Sequence, residues 1–313
     1  MTGYIIKRVL AAIPILIFVG LVTFSLVHIA PGDAANIMAG DYAGPDDVKK
    51  IRAELGLDKP IGQQFLEWVK RTATGDLCHS IFSGQSVGKL VRQRINPTLS
   101  LTIGGGILAV LIGIPLGVVA AWKSNTIVDR VAQVFAALGL AVPGFWLGFI
   151  LLWAFAVNWR IFPAIGFVSM FDDVGGFFRS IALPCLLLGI TGSAVLVRMT
   201  RASLLEVFRE DYIRTARAKG LGERAVLFRH ALRAGAIPII TVLGFLVAGL
   251  LTGVVVTETV FTIPGVGRLV AEAVQQRDFP IVQSLLMLLA SIYVVVNLLV
   301  DIAYAYVDPR VRL

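Results

Sequence analysis

Two cysteines in 313 residues are too few for a disulfide framework. Cys78 lies in a polar stretch and Cys185 in an apolar one, so no bridge between them is expected and both read as packing residues. The three histidines, His28, His79 and His230, are far apart and show no metal-ligand spacing. The phosphate-loop pattern Gly-x-x-x-x-Gly-Lys-Ser/Thr is absent. The nearest approach, Gly117 to Lys123-Ser124, lacks the glycine before lysine and ends an apolar run. No nucleophile–base pair stands out. Charged residues make up only 15% of the chain. The net charge of +8 comes without an aromatic-interleaved basic groove, so it is no nucleic-acid footprint.

What the chain has is apolar surface. It is 57% hydrophobic with a mean hydropathy of +0.83, more than a water-soluble domain of this length can hide. Apolar runs of about 20 residues mark membrane spans. Six qualify, at 9–30, 99–122, 131–157, 181–199, 234–257 and 281–307. The runs are continuous rather than alternating, which excludes a closed barrel. The expected fold class is an all-α polytopic membrane protein. Lys7-Arg8 before the first run resembles a signal-peptide start, but such a core spans roughly 7–15 residues. The run to Ala30 is longer, so a retained span is expected.

Charge sets the orientation, because basic residues in short loops favour the cytoplasm. Nine basic residues stand between Arg198 and Arg233, with four acids. With both termini inside, the inner segments hold these nine and Lys7, Arg8, Lys123, Arg130, Arg310 and Arg312. The short outer loops hold only Arg160, Arg179, Arg268 and Arg277. Segment 31–97 carries nine basic residues and eight acids, so it is nearly neutral, and it exceeds the roughly 60-residue reach of the rule. The expected division is 1–30 as N-terminus and first span, 31–97 as an outer helical subdomain, and 98–313 as a five-helix core with a cytoplasmic loop at 201–233.

The outer segment reads as two short amphipathic helices. Gly44-Pro45-Asp46 starts the first, Val48, Ile51 and Leu55 recur at helical spacing, and Gly56 stops it. The second starts near Pro60, with Ile61, Phe65, Trp68 and Val69 on one face. The helices can cover each other or lie on the membrane rim. They read either as a structural cap or as a contact surface for an extracytoplasmic partner.

The inner loop favours helix over 202–219. Thr215, Ala216 and Ala218 give a slim surface, while arginines can engage carboxylates at the rim of a partner's groove. Gly220 suits a left-handed helix stop. A solvated, orientation-setting loop is the alternative.

Polar residues within the spans are few. Asp301 is the clear intramembrane acid, on the side where Arg198 and Arg201 end the fourth span. A structural ion pair, a proton relay and a gate contact are all open to it. Glu258, at the outer end of the fifth span, reads as an interfacial or gate residue. Pro264-Gly265-Val266-Gly267 lacks a strand–helix context for nucleotides and reads as a turn or re-entrant gate element. Gly113/Gly117, Gly144/Gly148 and Gly249/Gly253 permit close helix crossing, either as fixed packing or as hinges. Pro115 and Pro143 can kink their helices.

Taken together, Tyr212-Ile213-Arg214-Thr215-Ala216-Arg217-Ala218-Lys219-Gly220-Leu221 and Phe228-Arg229-His230-Ala231-Leu232-Arg233 resemble the EAA loop of ABC-importer permeases, in its peptide/nickel form. The general pattern is Glu-Ala-Ala, three residues, Gly, nine residues, then Ile-x-Leu-Pro. Ala216, Gly220 and Leu232 match it, while Arg214, Thr215, His230 and Arg233 depart from it. Tyr4-Ile5-Ile6-Lys7-Arg8, Pro31-Gly32-Asp33, Leu55-Gly56-Leu57-Asp58-Lys59-Pro60, Gly75-Asp76-Leu77, Phe261-Thr262-Ile263-Pro264-Gly265-Val266-Gly267-Arg268 and Val307-Asp308-Pro309-Arg310 resemble the same subfamily.

The resemblance covers essentially the whole chain. It implies a type I ABC importer fold with six transmembrane helices, and the first permease subunit of a dipeptide/oligopeptide transporter. It also implies a homologous second permease subunit, two ATPase subunits, an extracytoplasmic substrate-binding protein and a bacterial or archaeal cytoplasmic membrane. No cofactor is expected on this chain, since ATP and magnesium belong to the ATPases. The implied coupling residues are Glu210, Asp211, Tyr212, Arg214, Thr215, Ala216, Arg217, Lys219, Gly220 and Leu221. Gate or structural roles fall to Glu258, Pro264, Gly265, Asp301, Arg198 and Arg201. Nickel, glutathione or another small solute is the alternative cargo. A stand-alone channel or ion-coupled carrier is the remote alternative, since a carrier needs coupling-ion sites that this chain almost lacks.

Overall fold

The computed structural model describes residues 2–29, 44–54 and 58–307. Pro31-Gly32-Asp33, Gly56 and 308–313 lie outside the described residues, as does the side chain of Asp301. Among the described residues the chain is helical, with one isolated bridge between His79 and Ser86. The helices are α1 (Thr2–Ile29), α2 (Pro45–Glu54), α3 (Ile61–Ala73), α4 (Val87–Trp122), α5 (Ile127–Ala141) and α6 (Gly144–Leu151). They continue as α7 (Val174–Val207), α8 (Asp211–Ala218), α9 (Glu223–Ala225 running on to Leu232–Ala234), α10 (Ala236–Val260), α11 (Val266–Gln276) and α12 (Phe279–Val307).

Among the described residues five helices are long and apolar enough to cross a membrane, and α5 with α6 makes a sixth if the bent pair is one span. The expected span at 131–157 is a bent pair, with the kink at Pro143. The chain bends by 106° between α5 and α6. Pro143 has no N–H to give, and its ring forces Val142 to an extended ψ of 123°. After Leu151 the helix widens into a π-helical turn, Leu152–Asn158. The proline in α1, the two in α4 and the one in α7 leave those helices unbroken.

The second span is also longer than expected. Segment 87–97 forms the first turns of α4 rather than loop. Its 36 residues extend about 54 Å, against a hydrocarbon layer of about 30 Å.

The chain divides into two compact units. One holds 96–268 and the chain from Val296 on. Its centre is α7, which packs on α5, α6 and α10. The apolar window of α7 is 72% buried, against 33% for α10. Leu183, Leu187, Leu188 and Leu196 join Leu101 of α4 and Val254 of α10 in one core. Glycine allows α4 to lie against α7. A Cβ on Gly113 would sit 2.6 Å from the Leu196 Cβ, and one on Gly117 2.7 Å from the Thr200 Cβ. Tight packing is thus the role this geometry gives Gly113 and Gly117.

The other unit holds 2–95 and 269–295. Here α3 leans on α1, with Phe24 flanked by Phe65 and Trp68 at ring distances of 5.4 and 6.0 Å. Buried Asp278 caps the start of α12. It accepts the Ser80 hydroxyl at 2.6 Å and the Ile81 N–H at 3.4 Å. Ser284 donates to the Leu77 carbonyl, and Arg94 pairs with Glu272 at 3.0 Å. Cys78 is half-buried here, and burial pushes its thiol above the usual value.

Candidate functional site

The inner loop builds a short amphipathic helix on a small apolar nest. Ile213 and Ala216, one turn apart on α8, are buried against Val118, Leu204, Val226 and Leu227. Gly220 has φ 82°. Its N–H bonds the Arg217 carbonyl at 2.9 Å, and the Leu221 N–H bonds the Ala216 carbonyl at 3.3 Å. These two bonds make a Schellman stop, with Leu221 folded back on the same nest. Arg217 forks onto Glu223 at 2.8 and 3.2 Å and lies 5.7 Å over the Phe208 ring.

The expected slim outer surface is corrected in one residue. Ala216 turns inward, because apolar spacing on α8 assigns it to the nest. Glu210, Asp211, Tyr212, Arg214, Thr215 and Lys219 remain exposed. Burial and Glu210 together hold the Tyr212 phenol above its usual value.

A second cluster surrounds Glu258. Its side chain is fully buried. One carboxylate oxygen accepts the Thr98 hydroxyl at 2.6 Å, and the other accepts the Arg268 N–H at 2.8 Å. Thr98 in turn accepts the Val266 N–H at 2.8 Å. The acid thereby caps the first turn of α11, where unpaired N–H groups and the helix dipole favour negative charge. The loop between α10 and α11 closes tightly, with the Ile263 N–H on the Glu258 carbonyl at 2.8 Å. A Cβ on Gly265 would run into the carboxylate, and one on Gly267 would sit 3.0 Å from it. Gly265 is buried beside the acid while Pro264 is exposed. Gly265 therefore makes room for the carboxylate, while Gly267, in the first turn of α11, lets that helix lie against Val255.

The third cluster was not expected. Arg201 forks onto Asp129, Nε to Oδ1 at 2.6 Å and Nη2 to Oδ2 at 2.8 Å. Asp129 is buried and also accepts the Asn125 N–H and the Gln133 amide, each at 3.0 Å. It ties the start of α5 to α7. Arg201 thus has a partner other than the expected Asp301, and Arg198 is exposed. Asp129 and Thr98 were missed. The one signal for Asp129 is an acid in the first turn of an apolar helix; for Thr98 there is none.

The bend at Pro143 borders a groove of about 620 Å³ lined by Val142, Thr191, Phe245, Gly249, Thr252 and Val256. A Cβ on Gly249 would meet nothing within 4 Å, so its absence leaves the groove open. Irregular backbone at membrane depth is tolerated where it lines a cavity or is covered by protein.

Among the described residues no group of three metal-ligating side chains comes together.

Comparison with known proteins agrees with this architecture. Residues 113–313 match the family model of the binding-protein-dependent transport system inner membrane component. Residues 1–102 match the N-terminal model of the same systems' membrane component. A probable peptide ABC transporter permease of Sinorhizobium fredii is 44% identical over 309 residues, covering 99% of each chain. The dipeptide transport system permease protein DppB of Escherichia coli K12 is 41% identical over 336 residues, covering 100% of this chain and 99% of that one. The inward-facing MetNI methionine ABC transporter shares the fold, with a TM-score of 0.58 at 17% identity over 70% of this chain and 96% of that one. The chain belongs to the inner-membrane components of binding-protein-dependent transport systems, as a permease subunit of an ATP-driven importer whose ATP is hydrolysed on separate subunits.

Proposed function

We propose that this chain forms half of a translocation pathway for di- and oligopeptides, paired with a homologous second permease. Two ATPase subunits engage α8 from the cytoplasm, and a substrate-binding protein delivers cargo from the other side. Both termini are cytoplasmic and 31–97 is outside. The observation that carries the coupling role is the build of α8. Its apolar face is consumed by the chain's own nest, and its stop is fixed by Gly220. What remains outward is a short polar face with Tyr212, Arg214, Thr215 and Lys219. Such a face suits a cleft lined by carboxylates. The peptide cargo rests on the relatives, named for peptide and dipeptide transport. The groove beside Pro143 is the part of the wall offered to cargo, and the Glu258 cluster holds the loop at the pathway's outer end.

The test is ATPase activity of the assembled importer with its binding protein, titrated with dipeptides, longer peptides, glutathione and Ni²⁺. Stimulation by peptides is expected. Stimulation by glutathione or Ni²⁺ alone overturns the cargo and leaves the importer standing.

A further inference from the structure

The helix α3 is amphipathic, yet none of its residues is buried. Viewed down its axis at 100° per residue, Trp68, Ile61, Phe65, Val69 and Leu66 follow one another around one side. Gln63, Glu67, Lys70 and Arg71 occupy the other. The apolar arc is used only along one edge. Phe65 and Trp68 meet Phe24 of α1, Trp68 lies 3.4 Å from where a Gly20 Cβ would be, and Gln64 bonds His28 at 3.2 Å. Beyond Phe65 the arc is bare, with Val69 39% exposed and Leu66 68%, and Ile61, in the first turn, is 63% exposed.

The depth of this contact decides what covers the bare edge. The apolar span of α1 runs from Lys7 to Leu26. Phe24 is two residues inside its end and Gly20 six, so at 1.5 Å per residue the contact sits about 3 to 9 Å inside it. The surface of α1 beside it is itself apolar and exposed, at Ile17 and Leu21. The bare edge of α3 continues that surface. The opposite edge is charged, and Lys59 and Glu67 pair across it at 2.7 Å. A helix with this division sinks about 5–10 Å into the boundary between headgroups and acyl chains. Tryptophan suits that depth, and Lys70 and Arg71 can reach headgroups along their own stems.

We propose that α3 lies in the outer-leaflet interface of the bilayer, with Ile61, Val69 and Leu66 against acyl chains and Gln63, Glu67 and Lys70 in the headgroup layer. This goes beyond the importer reading and rests on α1 being a span with its N-terminus inside.

Single cysteines at Ile61, Leu66 and Val69, and at Gln63 and Lys70, test it in the assembled importer in nanodiscs. Cys78→Ser and Cys185→Ser clear the background. Spin labels at the first three should collide with oxygen more readily than with a water-soluble nickel chelate, and labels at the last two should show the reverse. Equal chelate access at all five positions puts the helix in water and overturns the proposal. Labels at 61, 66 and 69 shielded from both probes mean that a protein covers the edge, which overturns it too. The unmodified importer gives a second reading. A phosphatidylcholine with a photoactivatable acyl chain should leave adducts on the segment 60–70, and adducts confined to other spans count against it. Peptide-stimulated ATPase is unaffected by either outcome, so the two readings fail separately.

Discussion

At the residue scale, Asp129 and Glu258 are buried carboxylates with different polar neighbours. Asp129 has a guanidinium. Removing that partner strands a buried charge, which typically costs about 3–5 kcal/mol. Arg201→Gln should therefore lower the yield of assembled importer sharply. Asp129→Asn made together with Arg201→Gln should recover part of it, because no charge is left alone. Additive losses in the double-mutant cycle would rule out the fork as an energetic unit. Glu258 accepts a hydroxyl and a backbone N–H, with Gly265 leaving it space. Gly265→Ala should push a methyl against the carboxylate and destabilise by about 1–3 kcal/mol, the usual range for overpacking. In a background of Glu258→Ala the same change should cost less. Thermal unfolding of the purified complex measures both, and equal losses in the two backgrounds would refute the steric account.

At the element scale, α8 depends on its stop. Gly220 sits at φ 82°, where a β-branched residue is strained by about 1–2 kcal/mol. Gly220→Val should uncouple ATP hydrolysis from uptake while membrane insertion survives, and Gly220→Asn should be tolerated better because asparagine accepts that conformation. Equal uptake in all three chains would count against the stop. Much at this scale was legible beforehand. Apolar runs mark every span, and the glycine after Lys219 marks where α8 ends. The spacing of Ile61, Phe65, Trp68 and Val69 marks a helix face, though not that α1 covers only part of it. Pro143 marked where the run 131–157 bends, but not the 106° of the bend, because composition registers total apolarity and not direction. Asp129 escaped because its partner is 72 residues away and Glu258's hydroxyl donor is 160 residues away. Periodicity reports neighbours within a few turns and carries no trace of such pairings.

At the scale of the whole molecule, the proposed topology puts Asp58 outside and Arg224 inside. Cysteines placed there should react with an impermeant maleimide from opposite faces of the membrane, and labelling from one face would sink the arrangement. Sequence distance has a further consequence, for the order in which the chain is made. Asp129 leaves the ribosome 72 residues before Arg201. At about 5–20 residues per second the acid waits roughly 4–14 s for its cation. Its place in the first turn of α5, beside the short polar connection from α4, gives it water to wait in. Glu258 has no such interval. Thr98 is already in the membrane, 160 residues ahead, and the Arg268 N–H follows ten residues later. Of these two buried acids, one must wait for its cation, while the other meets its hydroxyl donor as it is made.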